Sequence, residues 1–436
     1  MRALPQFPIL VLGLALCPRA FGQTLPPAAP LNLTLADALQ RAKQYAQQIY
    51  TANIAVLLAH EDTVQAKAAL LPTVEGISQY IYTQANGTPS GVFVSNDGPH
   101  IYNDQAMVHA DLYNPGKRAD YHKTMAAEAV AHAKADLAAR GLIGTVVQNY
   151  YGMVVAQRKI ANAAQSLKEA QTLLDITQKQ EAGGEVSHYD VVKAQIQVEQ
   201  RERDLQETQL ALDKARLGFA VLLFPNFGQE YSVADDLATS PALPPFAEIQ
   251  TMAGNNSPDI RVAQATVQQQ TFAIASARAG FLPTLSFDYF FGLNANQFAL
   301  HNHDGNLLLG NVAQAQLNIP IWTWGATRSK VKQAELQLQL AKNDLSFTQR
   351  QLLSELNQFY LEAKVASSQT ASLRLSMEHS QDGLKLTLLR YQAGESTILE
   401  VSDAQTTLVQ ARNAYDDGLV RYRLALANLQ TLTGAF

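Results

Sequence analysis

The clearest periodicity in the chain lies in its second half. From Leu285, the alternate residues Leu285, Phe287, Tyr289, Phe291 and Leu293 are apolar, and only Phe290 interrupts the polar or small residues between them. A second segment alternates Ala313, Ala315, Leu317, Ile319 and Ile321 with Gln314, Gln316 and Asn318. Segments of about ten residues, apolar on one side and polar on the other, are what a membrane barrel with a wet lumen requires. On that reading Leu285, Phe287, Tyr289, Phe291, Leu317 and Ile319 form the outer, lipid-facing side. The first half repeats the pattern more weakly: Ala106, Val108, Ala110 and Leu112 alternate with Gln105, His109 and Asp111, and Val74 to Thr83 alternates poorly. Long stretches rich in Gly, Asn and Ser, about Gln84 to Asp104 and Asn294 to Gly310, predict long loops on one side of the strands. A soluble sandwich with one polar face alternates in the same way, so the pattern alone leaves both architectures open.

Between the strands the period changes to that of helices. Gly116 to about Ala182, and Gly325 to about Ala393, contain no proline, and each as one helix would span about 100 Å. The segments that follow carry apolar residues every seventh position. Val191, Val198, Leu205, Leu212 and Phe219 form one row; Val401, Leu408, Tyr415, Tyr422 and Leu429 form another. Beside the second lie Ala404, Ala411, Gly418, Ala425 and Leu432. Strict seven-residue spacing predicts antiparallel coiled coils, and the small residues permit close approach.

The whole pattern occurs twice. Leu71-Pro72-Thr73 returns as Leu282-Pro283-Thr284 (282 − 71 = 211), and Ala194-Gln195 as Ala404-Gln405 (404 − 194 = 210). A repeat of this length predicts duplication of a half-domain, residues 23–224 and 246–436 joined by a linker at 225–245.

Composition then narrows the setting. The charged fraction is 16%, low against roughly 25% in soluble domains. A net charge of −5 without a basic run gives no sign of a nucleic-acid partner. Residues 1–22 read as a secretory signal, with Arg2, an apolar core from Phe7 to Leu16, and Ala20-Phe21-Gly22 as the cleavage site. The single cysteine, Cys17, lies within it, and Leu16 before it disfavours lipoprotein processing without excluding lipidation. No later run of eighteen or more apolar residues offers a transmembrane helix. Four strands cannot close a barrel, and open edges are not tolerated in lipid, so membrane strands here imply several chains sharing one barrel.

Enzymatic chemistry is not expected. There is no phosphate-cradling Gly-x-x-x-x-Gly-Lys-Ser/Thr, no second histidine after His60-Glu61 and no Gly-x-Ser-x-Gly elbow. His301, His303 and Asp304 lack a fourth ligand and read as surface residues. Catalytic, cofactor and metal residues are therefore all absent from the expectation.

At this point the sequence resembles the TolC-like outer-membrane efflux proteins over essentially its whole length after residue 22. The segment Tyr391-Gln392-Ala393-Gly394-Glu395-Ser396-Thr397-Ile398-Leu399-Glu400-Val401-Ser402-Asp403 is similar to the family's periplasmic hairpin tip, with Gly183-Gly184-Glu185 to Asp190 as the first-half counterpart. Ser257-Pro258-Asp259 at a helix start and Pro320-Ile321-Trp322-Thr323-Trp324-Gly325 at a strand-to-helix joint add to the likeness. The resemblance implies an α+β membrane protein: a homotrimer with four strands per chain in a shared transmembrane β-barrel, continuous with a long coiled-coil α-helical barrel. It implies an exit duct in the outer membrane, contacting its lipid and working with a periplasmic adaptor and an inner-membrane transporter.

The tip residues Gly183, Gly184, Tyr391, Gly394, Ser396 and Thr397 would contact the adaptor. Glu400 and Asp403, three apart on one helix face, would form stacked acidic rings that gate and select cations, with Asp190 as the first-half acid. Solvated helix-end acids that favour the helix dipole are the alternative. Ser396 stands where some members carry an arginine that latches the closed tip. Drug efflux, metal efflux and type I secretion are not separated by these residues, and a soluble periplasmic coiled-coil adaptor or scaffold remains the alternative function.

Overall fold

The computed structural model describes residues 31–82, 100–226, 229–239 and 241–434. The expected signal segment, with Cys17, and residues 83–99 of the first long loop lie outside these. Fourteen elements follow in order: β1 (Leu31–Leu33), α1 (Leu35–Tyr45), α2 (Gln47–Ala68), β2 (Thr73–Tyr82), β3 (His100–Tyr113), α3 (Pro115–Ala182), α4 (His188–Leu223), β4 (Tyr231–Val233), α5 (Phe246–Asn256), α6 (Pro258–Ala279), β5 (Thr284–Ala295), β6 (Leu309–Asn318), α7 (Ala326–Gln392) and α8 (Ile398–Thr433).

Four strands make one antiparallel sheet in the order β2-β3-β5-β6, so the two halves join through β3 and β5. Successive rows across it alternate in character. Val74, Val108, Tyr289 and Ala313 form one row, and Thr73, His109, Asp288 and Gln314 form the next on the opposite face. Phe290, the interruption in the β5 alternation, lies on the polar face in a row with the apolar residues Met107 and Val312. Gly292 has φ 157° and needs to be glycine, because a Cβ there would fall 2.3 Å from the Asp104 carbonyl oxygen.

Strand limits correct the sequence reading in two places. β3 begins at His100, inside the stretch assigned to a loop, because it pairs with β2 along its whole upper part. β6 ends at Asn318, so Ile319 and Ile321 lie outside the strand. Pro320 has no N–H to donate to a ladder, and pairing stops before it. Ile319 remains an exposed apolar residue (57%) but is not a barrel-strand position.

The long helices have the expected extent, 68 residues in α3 and 67 in α7, with 36 in each of α4 and α8. Their starts are capped locally. The Asn114 side chain accepts from Lys117 N–H at 3.1 Å with Pro115 in the first turn, and Ser257 caps α6 ahead of Pro258. Near the sheet the helices lie side by side in the order α2-α3-α6-α7; at the far end the order is α4-α3-α8-α7.

Where the two arrangements meet, β1 pairs in parallel with β4 and a core forms from Leu33, Leu142, Val146, Tyr150, Met153, Phe219, Leu223 and Leu237, each buried. The seven-residue rows are the packed seams: Val401, Leu408, Tyr422 and Leu429 are 4% exposed or less. Each such side chain contributes roughly 1.5–3 kcal/mol by leaving water. At Gly418 the α7–α8 approach is so close that a Cβ would stand 2.5 Å from Leu373 Cδ1.

Candidate functional site: the hairpin tips

Both reversals use the same backbone solution. At α3–α4, Gly184 N–H donates to Glu181 O at 2.8 Å and Glu185 N–H to Gln180 O at 2.9 Å; at α7–α8, Gly394 N–H donates to Tyr391 O at 3.0 Å and Glu395 N–H to Arg390 O at 2.8 Å. This paired bonding satisfies the last helix carbonyls and requires a left-handed residue after the cap. Gly184 (φ 76°) and Gly394 (φ 74°) supply it. Gly183, singled out with them in the sequence, has φ −80° and matches Ala393 at −83°, so the turn itself does not require glycine there.

The next residues begin the returning helices. Asp190 closes a capping box, its Oδ2 accepting from Ser187 N–H at 3.2 Å and from Ser187 Oγ at 3.0 Å. In the second hairpin Thr397 is the cap, accepting from Glu400 N–H at 3.4 Å. Ser396 Oγ donates to Glu400 Oε2 at 2.6 Å, and this bond, aided by the nearby Arg390 charge and the Thr397 contacts, holds the Glu400 carboxyl below its ordinary value. Glu400 and Asp190 therefore both serve as helix-start acids within the chain. Asp403 is exposed one turn on, and its first-half counterpart Lys193 lies over the Tyr189 ring at 5.6 Å.

Tyr391 is the member of the set that the structure moves most. It is 3% exposed and packs with Leu173, Ala194, Leu384, Ile398, Val401 and Leu408. Thr177 Oγ1 spends its proton on Leu173 O at 2.8 Å, so the Tyr391 hydroxyl donates to Thr177 Oγ1 at 3.2 Å. Burial raises the Tyr391 hydroxyl above its ordinary value. The tyrosine is thus an internal joint between α7 and α3 rather than an exposed contact.

Sequence reasoning missed the polar rungs that link the two hairpins. Between α3 and α8, polar rungs alternate with the apolar contacts of Leu173 with Val401 and Leu408. Gln405, 3% exposed, donates to Glu169 O at 3.1 Å and accepts from Gln197 at 2.7 Å. Arg412 holds Glu169 Oε1 at 3.1 Å through both terminal nitrogens. Higher up, Arg158 reaches Asp416 at 2.9 Å and clasps Asp235 at 2.6 and 2.9 Å, while Asn162 donates to Asp416 at 2.9 Å. The available signal was a polar residue interrupting an apolar helix stripe, as at Gln405 beside Ala404, but its partners lie more than two hundred residues away in sequence.

Long hairpins continue one small sheet, and among the described residues there is no cluster of metal-ligating side chains and no helix long and apolar enough to cross a membrane. The profile of the outer membrane efflux protein family matches residues 38–223 and again 251–435. The chain belongs to this family, and its location is the outer membrane.

It is similar to the toluene efflux pump outer membrane protein TtgC of Pseudomonas putida, 25% identical over 282 residues, 63% of this chain and 56% of that one, so it spans little more than half the length of this relative. With outer membrane protein TolC of Vibrio cholerae it is 23% identical over 423 residues, covering 92% and 90% of the two chains. Its fold matches the CmeC outer membrane channel of Campylobacter jejuni with a TM-score of 0.79 at 18% identity, over 92% of this chain and 85% of that one.

Proposed function

We propose that this chain is the outer-membrane exit duct of an efflux or secretion assembly, active as a homotrimer and passive in energy terms. The carrying observation is a set of unpaired edges on the same two sides at every level. The rows β2-β3-β5-β6, α2-α3-α6-α7 and α4-α3-α8-α7 each run from first-half edge elements to β6 or α7.

The edge helices expose apolar residues at helical spacing: Tyr50, Ile54 and Leu57 on α2, Leu210, Leu217 and Val221 on α4, and Leu336, Leu340 and Phe347 on α7. Joining one edge to the opposite edge of the next copy is a heterologous contact that closes a ring. Three copies give 3 × 4 = 12 strands, an even number above the roughly eight that a closed barrel needs.

In that ring the apolar face with Phe287 and Tyr289 meets lipid and the face with His109 and Asp288 lines the lumen. The matching halves are read as an internal duplication, supported by the double family match. The tips are the periplasmic end, where an adaptor and an inner-membrane transporter engage Gly184, Gly394, Ser396 and Thr397. Glu400 and Asp403 carry the gate's charge.

Membrane fractionation and cross-linking test the reading. The expected result is a cross-linked trimer extracted only by detergent. A soluble periplasmic monomer would instead support an adaptor or scaffold role.

A further inference from the structure

The joints where helices meet the sheet carry a second pattern, independent of the tips. Every joint exposes large apolar side chains: Leu71 (63%), Leu112 and Tyr113 (61% and 50%), Phe281 (53%), and Trp322 and Trp324 (72% and 88%). Trp324 has φ 52°, ahead of Gly325 at 81°, and a bulky residue adopts that left-handed conformation rarely. Aromatic residues collected at one level, at the end of a lipid-facing sheet, mark the headgroup boundary of a bilayer.

Cations follow one turn below. Lys117 and Arg118 open α3, and Arg328 and Lys330 open α7, with no acidic residue in either first turn. Positive charge at a helix N-terminus opposes the helix dipole, so helix stability does not account for it. Lys117 is paired with Asp111, but among the described residues Arg118, Arg328 and Lys330 take no ion pair.

Between α3 and α6 these features converge on a groove of about 630 Å³, lined by Pro115, Arg118, Phe272, Ala275, Arg278 and Leu282. Its floor is apolar, and its cations are two guanidiniums. Arg278 makes one further contact, to Glu335 at 3.4 Å, with 64% of its side chain exposed. Arg118 also lines the neighbouring groove with Leu112 and Tyr113. Past a register shift after Asp111, Tyr113 pairs with Leu285 of the apolar sheet face, so the groove that Arg118 shares with Tyr113 adjoins the lipid-facing side of the sheet.

We propose that the α3–α6 groove binds an anionic phospholipid of the periplasmic leaflet, with Arg118 and Arg278 on the headgroup phosphate and an acyl chain along Phe272 and Leu282. A planar guanidinium suits phosphate, and the apolar floor distinguishes a lipid from free phosphate. The proposal rests on the outer-membrane reading above.

The test titrates the detergent-solubilised full chain with phosphatidylglycerol or phosphatidylcholine, reading bound lipid by native mass spectrometry. The expected result is preferential retention of phosphatidylglycerol, with the double variant R118Q/R278Q binding it about thirtyfold more weakly, the effect of two cations near a membrane surface. Equal retention of both lipids, unchanged binding by the variant, or displacement by inorganic phosphate at millimolar level overturns the proposal. Reconstitution of the same samples separates the two readings. Trp322 and Trp324 are the chain's only tryptophans, so a blue shift of intrinsic fluorescence in vesicles reports insertion alone. Failure to insert sinks the duct reading, whereas insertion without lipid preference sinks only this one.

Discussion

The Tyr391 hydroxyl donates to Thr177 Oγ1 at 3.2 Å, joining the last turn of α7 to α3 with both side chains closed to solvent. Because the donor is buried, removing only its acceptor leaves it unsatisfied, at a cost of about 1–3 kcal/mol, whereas removing the donor costs nearer 1 kcal/mol. Thr177→Val is therefore expected to destabilise the tip more than Tyr391→Phe. Thermal melting of the detergent-solubilised protein orders the two, and the reverse order would mean that this bond does not brace the tip.

Acidification is expected to act on the start of α8. Glu400 is held below the ordinary glutamate value near 4.5, chiefly by Ser396 Oγ. A depressed carboxyl contributes stability that is present above its unfolded value and lost as pH falls through its folded value. The start of α8 should loosen as pH drops below about 4.5, seen as faster amide exchange at 398–402. In Glu400→Gln the low-pH increment of exchange should be absent; an identical pH profile would remove Glu400 from the explanation.

Channel recordings test the proposed gate. Replacing Glu400 and Asp403 together by alanine is expected to reduce cation selectivity and block by multivalent cations in planar bilayers, with trimer assembly unchanged. If selectivity and block persist, these carboxylates are helix-end groups only, the role that the Ser396 and Thr397 contacts of Glu400 already describe.

The α7–α8 seam is tightly packed at Gly418. A Cβ at Gly418 would stand 2.5 Å from Leu373 Cδ1, so Gly418→Val must turn the Leu373 side chain aside or shift the helices. Overpacking of this kind costs about 1–3 kcal/mol. The loss should be largely recovered in Gly418→Val/Leu373→Ala; independent effects of the two changes, measured in denaturant, would place the clash elsewhere.

On the sheet, Phe287 lies in a row with Ala110 and Ala315 on the apolar face. Phe287→Arg should impair membrane insertion by about 2–4 kcal/mol if that residue is near the bilayer midplane. Asp288→Asn, one residue away on the other face, should insert normally. Equal insertion of both variants in a vesicle assay would contradict the assignment of faces.

What the sequence determined by itself is what local periodicity encodes. Period two in Leu285–Leu293 and period seven from Val401 to Leu429 fix which side of each element is apolar, and the left-handed requirement at Gly184 and Gly394 fixes where the hairpins turn. Capping likewise needs only neighbours, so Asp190 and Glu400 were legible as helix-start acids as well as gate candidates. Pairing is different, because it depends on residues far apart in the chain. Nothing local says that β3 meets β5, that His100–Asp104 extends β3 by pairing with β2, or that Gln405 reads the Glu169 carbonyl across two helices. The same limit explains Tyr391, which stands in an exposed-looking tip motif yet is 3% exposed once α3 and α8 pack around it. The periodicity of a strand or helix states that a face must be covered; only the tertiary structure decides what covers it, since partner choice minimises exposed apolar area and unpaired polar groups over the whole chain at once.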